Sequence, residues 1–402
     1  MQDAPFISPS IAAIAESATL AVDAKAKAMK KQGLDVVGFG VGEPDFDTPE
    51  HIKQAAVAAL KAGKTKYTPA AGTPDLRAAI ARKFKIENGL DYEPSQIVVS
   101  NGAKHSLFNV ILTMVRPGDE VVIPSPYWVT YPELVKIAGG IPVFVPTSAQ
   151  DGYKLRPEAV ARCVKKGKTR MLILNSPSNP TGAVLDEKTL AAIGKIALDA
   201  NVSVVSDEVY EKLIYGSQRH VSILKVVPEL MQTSVVVNAV SKAYAMTGWR
   251  IGYAAAPKNV AKAMDNFQGQ ATSGPCSISQ EAALVALTAD QTCVEEMRKQ
   301  FDVRRKLLVK LVRAIPGLTC PEPEGAFYVF ASFAQLMGKT VAGVKINSSL
   351  DFAGVLLDKA QVAVVPGVAF GDDTCFRLSY ATSTERINEG LSRIAKLLQS
   401  VQ

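Results

Sequence analysis

Histidine is scarce in this sequence, three residues in 402, and none lies near another. Cysteine is sparse too: Cys163, Cys276, Cys293, Cys320 and Cys375 are odd in number, widely spaced and free of any Cys-x-x-Cys pair. These shortages argue against a metal site and fit a reduced, cytoplasmic compartment. No window reaches the uninterrupted apolar length that spans a bilayer, so no membrane association is expected. The opening MQDAPFISPSIAAIAESATL lacks a charged start followed by a long apolar core, so it does not read as a secretory signal. Charge of one sign is not in great excess. The net charge is +7, and the basic residues fall in scattered pairs such as Lys30-Lys31, Lys165-Lys166 and Arg304-Arg305. With no basic face interleaved with aromatics, solvated surface is favoured over a nucleic-acid footprint. Long polar tracts and internal repeats are also missing.

What is present is an ordinary globular mixture, 48% hydrophobic and 21% charged, long enough for two domains. The middle of the chain has a rhythm in which short β-branched runs are followed by a turn and a helical pattern. QIVVSNGAKHSLFNVILTMV predicts a strand to Ser100 and a helix from about Ala103. DEVVIPSPYWVTYPELVKIAG, RMLILNSPSNPTG and NVSVVSDEVYEKLIY repeat the plan, and a further apolar run spans Ser234 to Val240. This alternation predicts an α/β fold with a mostly parallel sheet covered on both faces. From about Gln291 the pattern changes to a long charged helix, CVEEMRKQFDVRRKLLVKLVRAI, followed by the strand-like PEGAFYVFASF, QVAVVPGVAFG and CFRLSYA. That change predicts a large domain over 47–290 and a smaller α+β domain made of 1–46 and 291–402.

Open α/β sheets bind ligands outside the carboxyl ends of their strands. After the first predicted strand come Gly102, Ala103 and Lys104 at a helix start, where free amides attract an anion such as phosphate. After the next come Tyr127 and Trp128, then Asn179 in NSPSNPTG, then Asp207 and Tyr210 in SDEVY, and last Ser241 and Lys242. Singly these carry little: Asp207 could cap a helix, Trp128 could be a core aromatic, and the Ser-Lys pair could be a surface turn. Together they describe a ligand with a planar ring, a phosphate, a basic ring nitrogen, a phenolic oxygen and an aldehyde. The stretch NAVSKAYAMTGWRIGYAAAP adds a puzzle, because Lys242 and Arg250 stand among residues suited to burial. Burial of both cations would require a partner for each.

The motifs GAK, SPYW, NPTG, SDEVY, SKAYAMTGWRIGY and FRLSYA occur in one order over nearly the whole chain. In this the sequence resembles the class I/II, fold-type I, pyridoxal-phosphate-dependent aminotransferases, and most closely the bacterial aspartate/prephenate subgroup. The resemblance implies a seven-stranded, mostly parallel sheet and pyridoxal 5'-phosphate as cofactor. It further implies that Lys242 forms the Schiff base with the cofactor and moves the substrate's α-proton. Asp207 would keep the ring nitrogen protonated, Asn179 and Tyr210 would bond the phenolic oxygen, and Trp128 would stack on the ring. Gly102, Ala103, Lys104, Ser241 and Arg250 would hold the phosphate.

For the substrate, the resemblance assigns the α-carboxylate to Arg377 as a bidentate fork, with the backbone of Gly42 close by. Tyr67 would reach the neighbouring subunit's phosphate, implying a homodimer with shared sites; the alternative is an ordinary interface or core aromatic. Thr19 and Lys104 would read the second carboxylate of a dicarboxylate substrate, although a lysine at a helix start is also often only solvated. Ala15-Glu16 stands where some dual enzymes carry a lysine, which favours aspartate over prephenate. The expected activity is transfer of an amino group between L-aspartate and 2-oxoglutarate. The alternatives are a prephenate, aromatic, alanine or broad-range aminotransferase, and, from another reaction class, a pyridoxal-phosphate lyase. A cofactor-sensing transcription regulator would need an added DNA-binding domain.

Overall fold

The computed structural model describes residues 6–12, 14 and 18–401. Seven strands form the main sheet: β1 (Ile97–Asn101), β2 (Glu120–Ser125), β3 (Ile141–Pro146), β4 (Thr169–Asn175), β5 (Ser203–Asp207), β6 (Val235–Ala239) and β7 (Ile251–Ala255). Their spatial order is β1-β7-β6-β5-β4-β2-β3. Every neighbouring pair is parallel except the two that β7 makes, with β1 and with β6.

The strand sequences explain why helices cover both faces. Side chains alternate across a strand, so a continuous apolar run presents an apolar surface on each side. Val99, Val122, Leu172, Leu174, Val204 and Val236 pack into one core with the helices Pro74–Lys83, Glu187–Ala200 and Ser277–Thr288. Val98, Val121, Ile123, Met171, Ile173, Val205 and Val237 pack into another with Ala103–Met114, Thr130–Ile137 and Lys258–Ala271. Fully burying one such aliphatic side chain contributes about 1.5–3 kcal/mol. The expected α/β fold and mostly parallel sheet are borne out.

The helical half of the SDEVYEKLIY pattern is not. After β5 the chain runs in turns, and the next helix is only Ile223–Val226. The glutamates expected on a helix surface are used inward. Glu208 accepts from Ser206 Oγ (2.8 Å), Ser222 Oγ (2.5 Å) and His220 Nε2 (2.9 Å). Glu211 accepts from Lys83 Nζ and from Asn88 Nδ2 (2.6 Å). These bonds hold the turn that carries Asp207 and Tyr210.

A second sheet, with strands β8 (Tyr328–Ser332), β9 (Val365–Pro366) and β10 (Cys375–Ser379), is antiparallel in the order β9-β10-β8. It shares a core with the helices Thr292–Arg313, Ser349–Ala360 and Thr384–Leu398 through Phe301, Leu308, Phe352, Leu356, Ile387 and Ile394. Val37 and Gly38 pair in parallel with Val362 and Ala363. Arg386 and Arg393 both bond the Asp35 carboxylate, at 2.8 and 2.5 Å. This packing supports our proposed division into 47–290 and 1–46 with 291–402. Among the described residues, no helix is long and apolar enough to cross a membrane.

Candidate active site

A cleft of about 330 Å³ opens where the carboxyl ends of β4 and β5 face the second sheet. Among its lining residues are four cations, Lys104, Lys242, Arg250 and Arg377, and two carboxylates, Glu43 and Asp207. The excess of positive charge suits an anionic ligand.

Asp207 ends β5 and is buried at 3% exposure. Its carboxylate accepts from the Tyr131 hydroxyl at 2.6 Å and the Val209 amide at 3.3 Å, and among the described residues it forms no ion pair. Burial pushes its pKa up to about 6 against the pull of the Tyr131 hydrogen bond. Asn175, at the end of β4, donates to the Asp207 carbonyl at 3.1 Å and accepts from the Asn179 amide at 2.8 Å. The strand end, the NPTG loop and the acid are thereby locked together.

Lys242 follows β6 and donates to the Gly42 carbonyl at 2.6 Å. Burial, and then Arg377, bring its amine down to about 8 despite nearby Glu43. Arg377, on β10, is buried; it donates from Nη1 to Asn179 Oδ1 at 2.9 Å and from Nη2 to the Gly40 carbonyl at 2.8 Å. Among the described residues its Nε has no partner. The guanidinium lies 4.4 Å over the Tyr328 ring and 5.0 Å over that of Phe370. Tyr210 and Tyr328 hydroxyls meet at 2.9 Å.

At the other end, Gly102 takes φ +84 just before the helix Ala103–Met114, whose first amides have no acceptor within the helix. That backbone conformation favours glycine, and a Cβ on Gly102 would also lie 2.3 Å from Arg250 Nη2. Lys104 holds its ammonium 5.1 Å over the Trp128 ring. Desolvation there, and then the Arg250 charge, lower its pKa.

The family model for aminotransferase class I and II matches residues 34–394. The chain belongs to this family. It is 45% identical to an aspartate aminotransferase of Geobacillus stearothermophilus, over 97% of this chain and 98% of that protein. An aspartate/prephenate aminotransferase of Cereibacter sphaeroides is 46% identical over 97% and 98% of the two chains. The solved aspartate aminotransferase of Thermus thermophilus with maleate superposes with a TM-score of 0.91 at 44% identity, covering 97% of this chain and 99% of that one.

This aminotransferase brings eleven of the residues singled out in its sequence to one cleft: Gly42, Ala103, Lys104, Trp128, Asn179, Asp207, Tyr210, Ser241, Lys242, Arg250 and Arg377. Gly102 adjoins it. Tyr67 is 99% exposed, which excludes a core aromatic within this chain. Thr19 lies in the helix Ala18–Lys31, and its side chain is outside the described residues. One expectation needs correction. Lys242 is half-buried and Arg250 is exposed rather than buried. Arg250 sits at the rim in a left-handed conformation (φ +57), satisfied by the Thr247 and Asn101 carbonyls at 2.8 and 3.3 Å.

Sequence reading missed Asn175, Tyr131 and Tyr328. Asn175 was the most accessible, because it closes the run MLILN at the carboxyl end of a parallel strand. Tyr131, three residues after Trp128, carried only a helical spacing, and nothing marked Tyr328 in GAFYVF. Among the described residues, the one cluster of metal-ligating types is Glu208, Glu211 and His220, with ligand atoms within 4.8 Å. The hydrogen bonds that shape the turn after β5 already occupy it.

Proposed function

We propose that this aminotransferase moves the amino group between L-aspartate and 2-oxoglutarate, giving oxaloacetate and L-glutamate, with pyridoxal 5'-phosphate as cofactor. The observation that carries the reading is one cleft holding a buried carboxylate without a cation, Asp207, and a lysine whose pKa is lowered, Lys242. The residues fit the cofactor. Among the described residues Asp207 forms no ion pair, which leaves it open to a protonated ring nitrogen, and the glycine-backed helix start with Arg250 suits a phosphate.

The cofactor, when bound, supplies an electron sink that stabilises negative charge at the substrate α-carbon. The chain's residues do the rest. Asp207 holds the proton on the ring nitrogen. Asn179 and Tyr210 orient the ring through its phenolic oxygen, and Trp128 covers its face. The amides of Ala103 and Lys104, with Gly102, Ser241 and Arg250, bind the phosphate. Lys242 Nζ anchors the cofactor and carries a proton from and to the substrate α-carbon. At pH 7 an amine with a pKa near 8 is about one-tenth unprotonated, hundreds of times more than an ordinary lysine.

Arg377 grips the α-carboxylate with its planar fork, beside the Gly42 backbone. Lys104 and Thr19 read the second carboxylate, a role supported by the similar Thermus thermophilus enzyme, whose structure was solved with the dicarboxylate maleate. The enzyme acts in the cytoplasm as a homodimer, each subunit lending Tyr67 to the other's site. Similarity to the aspartate/prephenate aminotransferase of Cereibacter sphaeroides keeps prephenate as a second amino acceptor to be tried.

The test is a half-reaction screen. Purified protein is mixed with single amino acids, and the cofactor's absorbance is followed. Aspartate and glutamate should convert it fastest, and oxaloacetate or 2-oxoglutarate should reverse the change. Borohydride reduction followed by mass spectrometry should place the cofactor on Lys242. Attachment at another lysine, or product release from one amino acid without an acceptor, would refute the proposal.

A further inference from the structure

Tyr328 opens β8 in the smaller sheet, yet its phenol enters the cleft. It is buried at 1% exposure and touches three residues that the proposed function employs. Its hydroxyl lies 2.9 Å from that of Tyr210. Its ring supports the Arg377 guanidinium at 4.4 Å. The same hydroxyl would sit 2.7 Å from a Cβ at Gly42, so it fixes that position as glycine.

The direction of the Tyr210–Tyr328 bond matters because each phenol has one hydrogen. Burial raises the pKa of both, well above the ordinary range for Tyr210, so both are intact hydroxyls at working pH. A Tyr210 that donates to Tyr328 has no hydrogen left for a ligand. A Tyr210 that accepts from Tyr328 keeps its hydrogen free, and accepting a hydrogen bond makes it a stronger donor. The Arg377 cation against the Tyr328 ring favours the second arrangement, because it draws charge from that phenol.

We propose that Tyr328 is a positioning residue: it donates its hydrogen to Tyr210 and so turns Tyr210's own hydrogen toward the phenolic oxygen of pyridoxal phosphate. This inference rests on the proposed function. It links the cofactor's ring oxygen, through two phenols, to the domain that carries the α-carboxylate reader.

The test uses the holoenzyme of Tyr328→Phe, which keeps the ring under Arg377 and removes only the hydroxyl. Tyr210 donation stabilises the anionic oxygen and favours loss of the proton that the lysine–cofactor linkage shares. Weakening that donation should raise the pH midpoint of the cofactor's absorbance by about half a unit to one unit. Tyr210→Phe should shift it the same way and further, and the double variant should match Tyr210→Phe alone. The KM for aspartate should stay within about twofold in Tyr328→Phe and rise at least about fivefold in Tyr328→Leu, which loses the ring beneath the cation. A Tyr328→Phe midpoint unchanged from wild type, or shifts that add in the double variant, would overturn the inference and leave the proposed function standing. Wild-type protein with no cofactor absorbance would overturn both.

Discussion

Arg377 and Asn179, 198 residues apart, share a buried 2.9 Å hydrogen bond in which the guanidinium donates and the amide oxygen accepts. The bond joins the smaller sheet to the NPTG loop of the larger domain. It also settles what Asn179 has left to offer. Its carbonyl oxygen is engaged, so the remaining group is the Nδ2 donor, the end required by an acceptor such as a phenolic oxygen.

Asn179→Asp should therefore damage two functions at once. The carboxylate would bind Arg377 more tightly and neutralise it, and it would offer no hydrogen to the cofactor. We expect kcat/KM for aspartate to fall about ten- to a hundredfold. The absorbance midpoint should rise in the same variant. A fall in kcat/KM with an unmoved midpoint would show that Asn179 serves Arg377 alone.

Asp207→Asn should slow the half-reaction by several orders of magnitude, because a neutral amide does not hold the ring nitrogen protonated. A rate within about tenfold of wild type, worth roughly 1.4 kcal/mol of barrier, would contradict the role.

The same substitution carries a stability prediction for the cofactor-free protein. The Asp207 pKa is raised from 3.8 to about 6 on folding. Its stabilising contribution is full below pH 3.8, where both states are protonated, and is lost as pH rises through 6. Ionising the buried acid thus destabilises the fold by about 3 kcal/mol at neutral pH. Cofactor-free Asp207→Asn should melt above cofactor-free wild type at pH 7.5, and the gap should close as the pH falls toward 4. Calorimetry at both pH values checks this; a gap that persisted at pH 4 would count against it.

Arg377→Lys keeps the charge and loses the fork, so aspartate and neutral amino acids should suffer alike. Lys104→Ala should spare phenylalanine and lose roughly ten- to a hundredfold in kcat/KM for aspartate and glutamate. Pyridoxal phosphate affinity must be measured in the same protein, since Lys104 adjoins the phosphate turn. Equal losses for aspartate and phenylalanine with intact cofactor binding would remove Lys104 as the reader of the second carboxylate.

Tyr67 offers a test of sharing between subunits. Tyr67→Ala chains mixed with Lys242→Ala chains and allowed to exchange would form mixed dimers with one intact site. Activity of the mixture should exceed the sum of the two parents. Titration of one variant into the other measures it, and no gain would place Tyr67's action within its own chain.

The readable part of the fold and site shares one physical origin. Parallel strands buried on both faces leave continuous apolar runs, and their carboxyl ends, at Asn101, Asn175, Asp207 and Ala239, are where polar residues interrupt the run or soon follow it. β3 was not legible because it is an edge strand with Pro142 and Pro146 within it, a composition that resembles a loop. β7 was lost among the small residues of IGYAA, and no local pattern states that a strand reverses direction. The turns after Asp207 were concealed because Glu208 and Glu211 have the spacing of an exposed helix face; Lys83, the partner of Glu211, lies 128 residues away, and His220, the partner of Glu208, lies beyond the turn. Tyr131 and Tyr328 escaped for the same reason, since each acts on a side chain distant in sequence.

The parallel pairing of Val37–Gly38 with Val362–Ala363 has a consequence for the order in which the protein is made. During synthesis, residues 35–43 leave the ribosome long before the residues they pair with. Phe39 donates its amide to Ala363 and accepts from the amide of Ser379, and Gly40 meets Arg377, all far later in the sequence. The α/β sheet closes with β7, by residue 255, well before those partners exist. Asp207 and Lys242 thus leave the ribosome before the anchor of the segment that receives the lysine's hydrogen bond. The candidate cleft is complete only once residues 362–379 have joined residues 37–40.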